Sequence, residues 1–147
     1  MKDIQNYYQI SDSLATSGQP TPQEFSQISE AGYQVIINLA TSKSTNALDK
    51  EGAIVTDLGM VYVQIPVVWD DPKLADVEIF FKIMHSFAGK KVWVHCAKNM
   101  RVSCFVYLWQ KHVLNLSEKR ARYPMDRVWQ PMGVWQQLVE QVATKKF

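Results

Sequence analysis

Cysteine is scarce in this chain: two in 147 residues, Cys96 and Cys104. That is too few for a disulfide framework, and no metal-ligand spacing accompanies them, so no bound metal is expected. A reducing compartment is the default for such a chain, and a cysteine that matters in it is reactive rather than structural. No apolar run approaches the ~18 residues of a membrane span. The opening MKDIQNYYQI lacks an apolar segment, so no signal peptide is expected in this numbering and the cytoplasm is the default location. Charge of one sign is also missing. Sixteen Lys and Arg against fourteen Asp and Glu leave +2 overall, without a basic block, which argues against a general nucleic-acid binder. The densest cationic cluster, Lys119-Arg120-Arg122, stands beside Glu118 and reads as a solvated face. What is present is an ordinary globular composition, 47% hydrophobic and 20% charged, of a length that fits one domain over residues 1–147.

Two short strands are expected at Tyr7–Ile10 and Leu14–Ser17 around a Ser11-Asp12 turn. Thr21-Pro22-Gln23-Glu24 is a capping box with proline at the first helical position, so a helix starts there and ends at Gly32. The run YQVIINL at 33–39 reads as a buried parallel strand. A polar loop then leads to a helix near 46–58, and a further strand covers 61–65, stopped by Pro66. Leu74, Val77, Phe80, Phe81, Met84 and Phe87 recur at helical spacing, which predicts a helix over 74–88. KVWVH at 91–95 is another strand, 101–112 an apolar helix, and two more helices are expected near 117–123 and 133–144. This alternation predicts an α/β fold with a mostly parallel central sheet flanked by helices. Ligands of such sheets bind beyond the carboxyl ends of the strands. The rule points to the loops at 40–46, 66–73 and 96–101.

The third loop carries the chemistry. In KVWVHCAKNMRVS, Cys96 ends a buried strand and a helix begins a few residues later. Unpaired N–H groups and the helix dipole there favour an anion, and so favour thiolate over thiol. Arg101 can turn back over the loop and present a planar fork to an oxyanion. A nucleophilic sulfur, a cradle of amides and a fixed guanidinium suit attack on a phosphate monoester. The cradle comprises Ala97, Lys98, Asn99, Met100 and Val102. His95 reads as a hydrogen-bonded residue that orients the loop rather than a general base. Cys104, on the apolar face of the following helix, reads as packing, with a resolving-thiol role as the alternative. His85 and His112 read as surface or boundary residues. Asn38 and Thr41-Ser42, at another strand end, are candidates for the pocket rim, with turn stabilisation the commoner role for the asparagine. Trp129 and Trp135 read as packing of the C-terminal helices.

Three stretches, LATSGQPTPQEF at 14–25, INL at 37–39 and VHCAKNMRVS at 94–103, resemble the beta-lactamase-hydrolase-like phosphatases. These are a bacterial subgroup of the dual-specificity-type, cysteine-dependent protein tyrosine phosphatases. The resemblance covers about residues 7–115. It implies a three-layer protein tyrosine phosphatase-like fold and a two-step hydrolysis that needs no cofactor. It also implies a leaving-group acid in the loop PVVWDDPK. In that family the acid lies five residues before an Asp that begins the next helix. Asp76 occupies that position and picks out Asp71, with Asp70 as the alternative. Trp69 is a candidate hinge of that loop or a core residue. The usual loop has five residues between Cys and Arg and a hydroxyl directly after Arg. Here there are four, and Ser103 comes one residue late.

The function expected is therefore a phosphomonoester hydrolase working through a phosphocysteine, with phosphotyrosine among its substrates. Cys96 is the nucleophile, Arg101 the oxyanion clamp and Asp71 the acid. The partner is a phosphorylated protein or a small phosphomonoester, with neither nucleic acid nor membrane involved. Two other readings stand beside it. One is a rhodanese-like sulfurtransferase carrying a Cys96 persulfide, motivated by the short loop. The other is a catalytically silent phosphate-binding domain, motivated by the missing hydroxyl after Arg101.

Overall fold

The β-branched runs of this chain form a sheet whose two faces are both covered, and each strand is four residues long. The structure is a computed structural model and describes residues 1–145. In chain order the elements are β1 (Tyr8–Ser11), β2 (Leu14–Ser17), α1 (Pro22–Glu30), β3 (Val35–Asn38), α2 (Glu51–Asp57), β4 (Val61–Gln64), α3 (Leu74–Ser86), β5 (Val92–His95), α4 (Met100–His112), α5 (Glu118–Ala121), α6 (Met125–Val128) and α7 (Val134–Ala143). The strand order is β1-β2-β5-β3-β4. All neighbouring pairs are parallel except β1 with β2.

Residue alternation along the two central strands divides the core. Val35 and Ile37 of β3 and Val92 and Val94 of β5 face a large cluster built with α3, α4 and α7, including Phe80, Phe105 and Trp135. Ile36 and Trp93 face the opposite side, where Phe25 and Ile28 of α1 and Val55 of α2 cover them. Period-2 alternation thus sends neighbouring residues of one strand into different layers. It also fixes which side of the sheet each residue at a strand end leaves from. β4 lies at the sheet edge and is exposed or half-buried throughout, unlike β3 and β5.

The capping box at α1 forms in full. The Thr21 N–H donates to Glu24 Oε1 at 2.9 Å, and the Glu24 N–H donates to Thr21 Oγ1 at 3.2 Å. Elsewhere boundaries differ from expectation. β1 runs on through Ser11, so the first turn sits one residue later. α2 begins only at Glu51, because the polar chain before it is drawn into loop contacts described below. α6 was not foreseen: a single turn between Pro124 and Trp129 has too few residues to display a helical period. The cluster Lys119-Arg120-Arg122 is a solvated face as read, with Arg122 bridging Glu118 at 2.9 Å and Asp126 at 3.0 Å.

Candidate active site

β5 is central and ends at His95, and the next residue, Cys96, opens the loop to α4. Buried among β2, β3 and α4, this strand end cannot drift, and its neighbours hold the loop from outside. The Cys96 N–H donates to the Ser17 carbonyl at 3.4 Å. The Ala97 carbonyl accepts from the Gln19 N–H at 3.1 Å and from Asn46 Nδ2 at 3.0 Å. The Lys98 carbonyl accepts from Asn6 Nδ2 at 2.9 Å. His95 Nδ1 lies 3.2 Å from the Cys96 carbonyl. Three successive carbonyls are therefore anchored away from the loop's interior.

Asn99 stands at the N-cap of α4 with φ 66°, a left-handed conformation that asparagine tolerates better than most residues. Its side chain makes no cap bond. Instead Nδ2 donates to the Asn6 carbonyl at 2.8 Å and to Thr16 Oγ1 at 3.1 Å. The first intrahelical backbone bond runs from the Ser103 N–H to the Asn99 carbonyl. The amides of Met100, Arg101 and Val102 thus form the uncapped positive end of a 13-residue helix. A helix start left without its own cap suits an external anion.

Cys96 is 1% exposed, yet it lines a cavity of about 440 Å³ together with Lys43, Ser44, Thr45, Trp69, Ala97, Lys98, Met100 and Arg101. Arg101 is buried and fixed from two loops. Its Nη1 donates to the Val67 carbonyl at 2.9 Å and its Nη2 to Ser44 Oγ at 3.3 Å. Val67 is in turn pinned by its N–H on the Leu39 carbonyl at 3.0 Å. A guanidinium has five donors, so these two bonds leave others for an oxyanion in the cavity. Among the described residues no Asp or Glu lines the cavity, while Lys43, Lys98 and Arg101 do.

Other residues of the loop lie elsewhere. Val102 is fully buried in the larger core cluster, so only its backbone belongs to the helix start. Ser103 is buried and its Oγ donates back to the Met100 carbonyl at 3.1 Å. Asp70 and Asp71 are exposed and outside the cavity, and the Asp71 carboxylate pairs with Lys73 Nζ at 2.6 Å. Asp76 closes the N-terminus of α3, its Oδ2 accepting from the Lys73 N–H at 3.1 Å. The rim expected at Thr41-Ser42 is formed two to three residues later, by Lys43, Ser44 and Thr45. Cys104 is fully buried, and burial pushes its thiol up to about 12, which leaves it protonated packing. His85 is exposed and His112 half-buried, as expected of boundary residues.

Trp69 is neither hidden core nor a bare hinge. It is 41% exposed and forms part of the cavity wall. Its ring sits 5.3 Å from that of Trp129 and 5.5 Å from that of Trp135, and its carbonyl accepts from Trp135 Nε1 at 2.9 Å. The tryptophans of the C-terminal segment thereby fix the loop that begins at Val67.

Sequence reasoning missed a buried polar group behind the loop. Glu51, at the start of α2, is 5% exposed and accepts from Gln19 Nε2 at 2.6 Å, Asn38 Nδ2 at 3.2 Å and His95 Nε2 at 2.8 Å. Both His95 nitrogens therefore face oxygen atoms, which fixes the orientation of the ring. Burial pushes the Glu51 carboxyl up, but the bonds from His95, Gln19 and Tyr62 outweigh it and hold the group below its usual range. Asn38 also stabilises its own turn, accepting from the Ala40 N–H at 2.8 Å. Gly18 was missed as well. A Cβ there would stand 2.8 Å from the Ala97 carbonyl oxygen, so the loop can pack this closely only against glycine. Nothing in a linear reading joins Glu51 to His95, 44 residues apart.

A mostly parallel sheet, a cysteine at the end of its central strand, an uncapped helix start and an inward arginine thus meet at one cavity. The chain belongs to the family described as DSP-PTPase phosphatase fused to NAD+ kinase, whose sequence model matches residues 3–142. It is 40% identical to a Shewanella putrefaciens CN-32 protein described as a DUF442 candidate phosphatase. The match covers 97% of this chain and 93% of that one, with a TM-score of 0.86. A Xylella fastidiosa beta-lactamase hydrolase-like protein is 33% identical over 95 residues, 63% of this chain. The matched stretch spans only 22% of that relative's length. The P. aeruginosa TpbA variant solved in complex with pTyr shares the fold at 14% identity. Its TM-score is 0.65, covering 95% of this chain and 91% of that one. Among the described residues, no helix is long and apolar enough to cross a membrane.

Proposed function

We propose that the chain hydrolyses phosphomonoesters through a phosphocysteine formed on Cys96. The observation that carries this reading is the joint placement of Cys96, the uncapped start of α4 and the doubly tethered Arg101 around one cavity. In the first step Cys96 Sγ attacks phosphorus and the ester P–O bond breaks. The non-bridging oxygens rest on the loop amides of 97–102 and on Arg101, where charge builds in the transition state. The leaving oxygen takes a proton from Asp71. In the second step a water oxygen attacks phosphorus, the S–P bond breaks, and Asp71 accepts the water's proton, so that one difficult displacement becomes two.

Asp71 serves in this scheme once the segment 70–73 swings inward and its pair with Lys73 opens. That pair is solvent-exposed and contributes little, so it presents a small barrier to such a movement. Val67 and Trp69 stay fixed by Arg101 and Trp135, which confines the movement to the tip of the loop. His95 and Glu51 hold the Cys96 carbonyl outward, and Ser103 takes no part in expelling sulfur.

The test is hydrolysis of p-nitrophenyl phosphate across pH 5–7. Turnover is expected, with orthovanadate inhibiting and Cys96→Ser abolishing it. Acid quench of the wild type with a 32P-labelled substrate should trap label on Cys96. A folded wild type with no turnover and no trapped label rejects the reading, and thiosulfate-dependent sulfur transfer by the same protein would replace it.

A further inference from the structure

The walls of the cavity carry more cationic and aromatic surface than a phosphoryl group requires. Arg101 and the loop amides already supply donors for one phosphate. Lys43 and Lys98 add two exposed ammonium groups at the same opening, and neither makes an ion pair among the described residues. With no carboxylate among the described residues lining the cavity, their charge is directed at whatever enters it. Such a rim raises the on-rate and affinity of polyanions over monoanions.

Trp69 supplies the second element. A large indole left 41% exposed is a surface on which a flat ring can stack. This one is held rigidly, with Trp129 and Trp135 behind it at 5.3 and 5.5 Å and its carbonyl pinned by Trp135. Base-on-aromatic stacking contributes without demanding a particular base. Cationic side chains beside a fixed ring, next to a phosphoryl cradle, match a nucleotide that carries both a phosphomonoester and a second anionic group. A phosphotyrosine peptide offers the ring only as the leaving group itself and needs no added cations.

Family membership narrows the class. The family is described by fusion of this phosphatase domain to an NAD+ kinase, an enzyme that adds a phosphomonoester to a dinucleotide. A phosphatase joined to that kinase has its product at hand. We infer that the cavity takes nucleotide phosphomonoesters bearing a further phosphate or diphosphate, the 2′-phosphate of NADP being the leading member. The inference rests on the phosphatase reading above. Hydrolysis breaks the phosphorus–oxygen bond to the 2′-hydroxyl, gives NAD and orthophosphate, and consumes one water through the Cys96 intermediate. In the bound complex the diphosphate meets Lys43 and Lys98, and the adenine lies on Trp69.

The test measures phosphate release by the purified protein from NADP+, 2′-AMP, a phosphotyrosine peptide, a soluble phosphoinositide and p-nitrophenyl phosphate. NADP+ is expected to exceed the peptide and the phosphoinositide at least tenfold in kcat/KM. It should also exceed 2′-AMP, which keeps base and monoester but lacks the diphosphate. The double variant Lys43→Gln/Lys98→Gln should lower the ratio of NADP+ to p-nitrophenyl phosphate at least tenfold, with circular dichroism confirming the fold. Trp69→Ala should lower kcat/KM for both NADP+ and 2′-AMP and leave their ratio within threefold. Hydrolysis of p-nitrophenyl phosphate with NADP+ no better than the peptide or the phosphoinositide overturns this inference and leaves the phosphatase reading standing. So does a ratio that the lysine variant does not move. Absence of turnover on every substrate removes both.

Discussion

Replacing Glu51 by Gln removes one charge and leaves the shape nearly unchanged, so it isolates the polar group behind the loop. Three donors, Gln19 Nε2, Asn38 Nδ2 and His95 Nε2, converge on two carboxylate oxygens at 2.6–3.2 Å. An amide offers one acceptor oxygen and an NH2, so at least one donor is turned against another in a site only 5% exposed. Breaking a buried pair in this way costs ~3–5 kcal/mol, and the retained oxygen argues for the lower end. At roughly 2–4 °C per kcal/mol for a chain of this size, Tm should fall by about 6–12 °C at pH 7. The sign of the pH dependence follows from Glu51 being held below its usual 4.5. Its stabilisation is complete above that value and is lost as pH falls through the folded-state value. Thermal unfolding followed by circular dichroism should therefore show the gap between wild type and variant closing in acid. A variant whose Tm stays within 2 °C of wild type at pH 7, or a gap that widens on acidification, would refute the assignment of Glu51 as the charge that secures His95.

Gly18→Ala should cost ~1–3 kcal/mol, because its Cβ meets backbone on both sides, the Ala97 and Gln5 carbonyls at 2.8 and 3.2 Å. Displacing the loop should also lower kcat/KM for an aryl phosphate by about 10²-fold, and unchanged kinetics would show that the loop tolerates the shift. Arg101→Lys loses the planar fork that spans Val67 and Ser44, so kcat should drop by ~10²–10³-fold while thermal stability changes far less. Asp71→Asn should lower kcat for an alkyl phosphate by ~10²–10⁴-fold and for p-nitrophenyl phosphate, whose leaving group needs little protonation, much less; equal losses would remove Asp71 as the acid. Trp135→Phe deletes the donor to the Trp69 carbonyl and should raise KM more than it lowers kcat, measured with the same substrates.

Local pattern determines a good deal of this protein. The capping box at Thr21, the β-branched runs of β3 and β5 and the apolar period of α3 each draw on neighbours a few residues apart, and each formed where the sequence placed it. Cys96 and Arg101 belong to that group too, since strand, short loop and helix follow one another directly in the chain. The placement of Lys43, Ser44 and Thr45 on the rim, of Trp69 against Trp129 and Trp135, and of Glu51 against His95 came only with the tertiary structure. Those contacts join residues from separate loops and helices that the sheet order β1-β2-β5-β3-β4 brings to one end. A strand or a helix turn is specified by periods of two to four residues, whereas a partner across the sheet is specified by the packing of whole layers. Gly18 shows the difference most plainly: in the sequence it is one glycine after a strand, and only the backbone of residue 97 lying against it makes the missing Cβ a requirement.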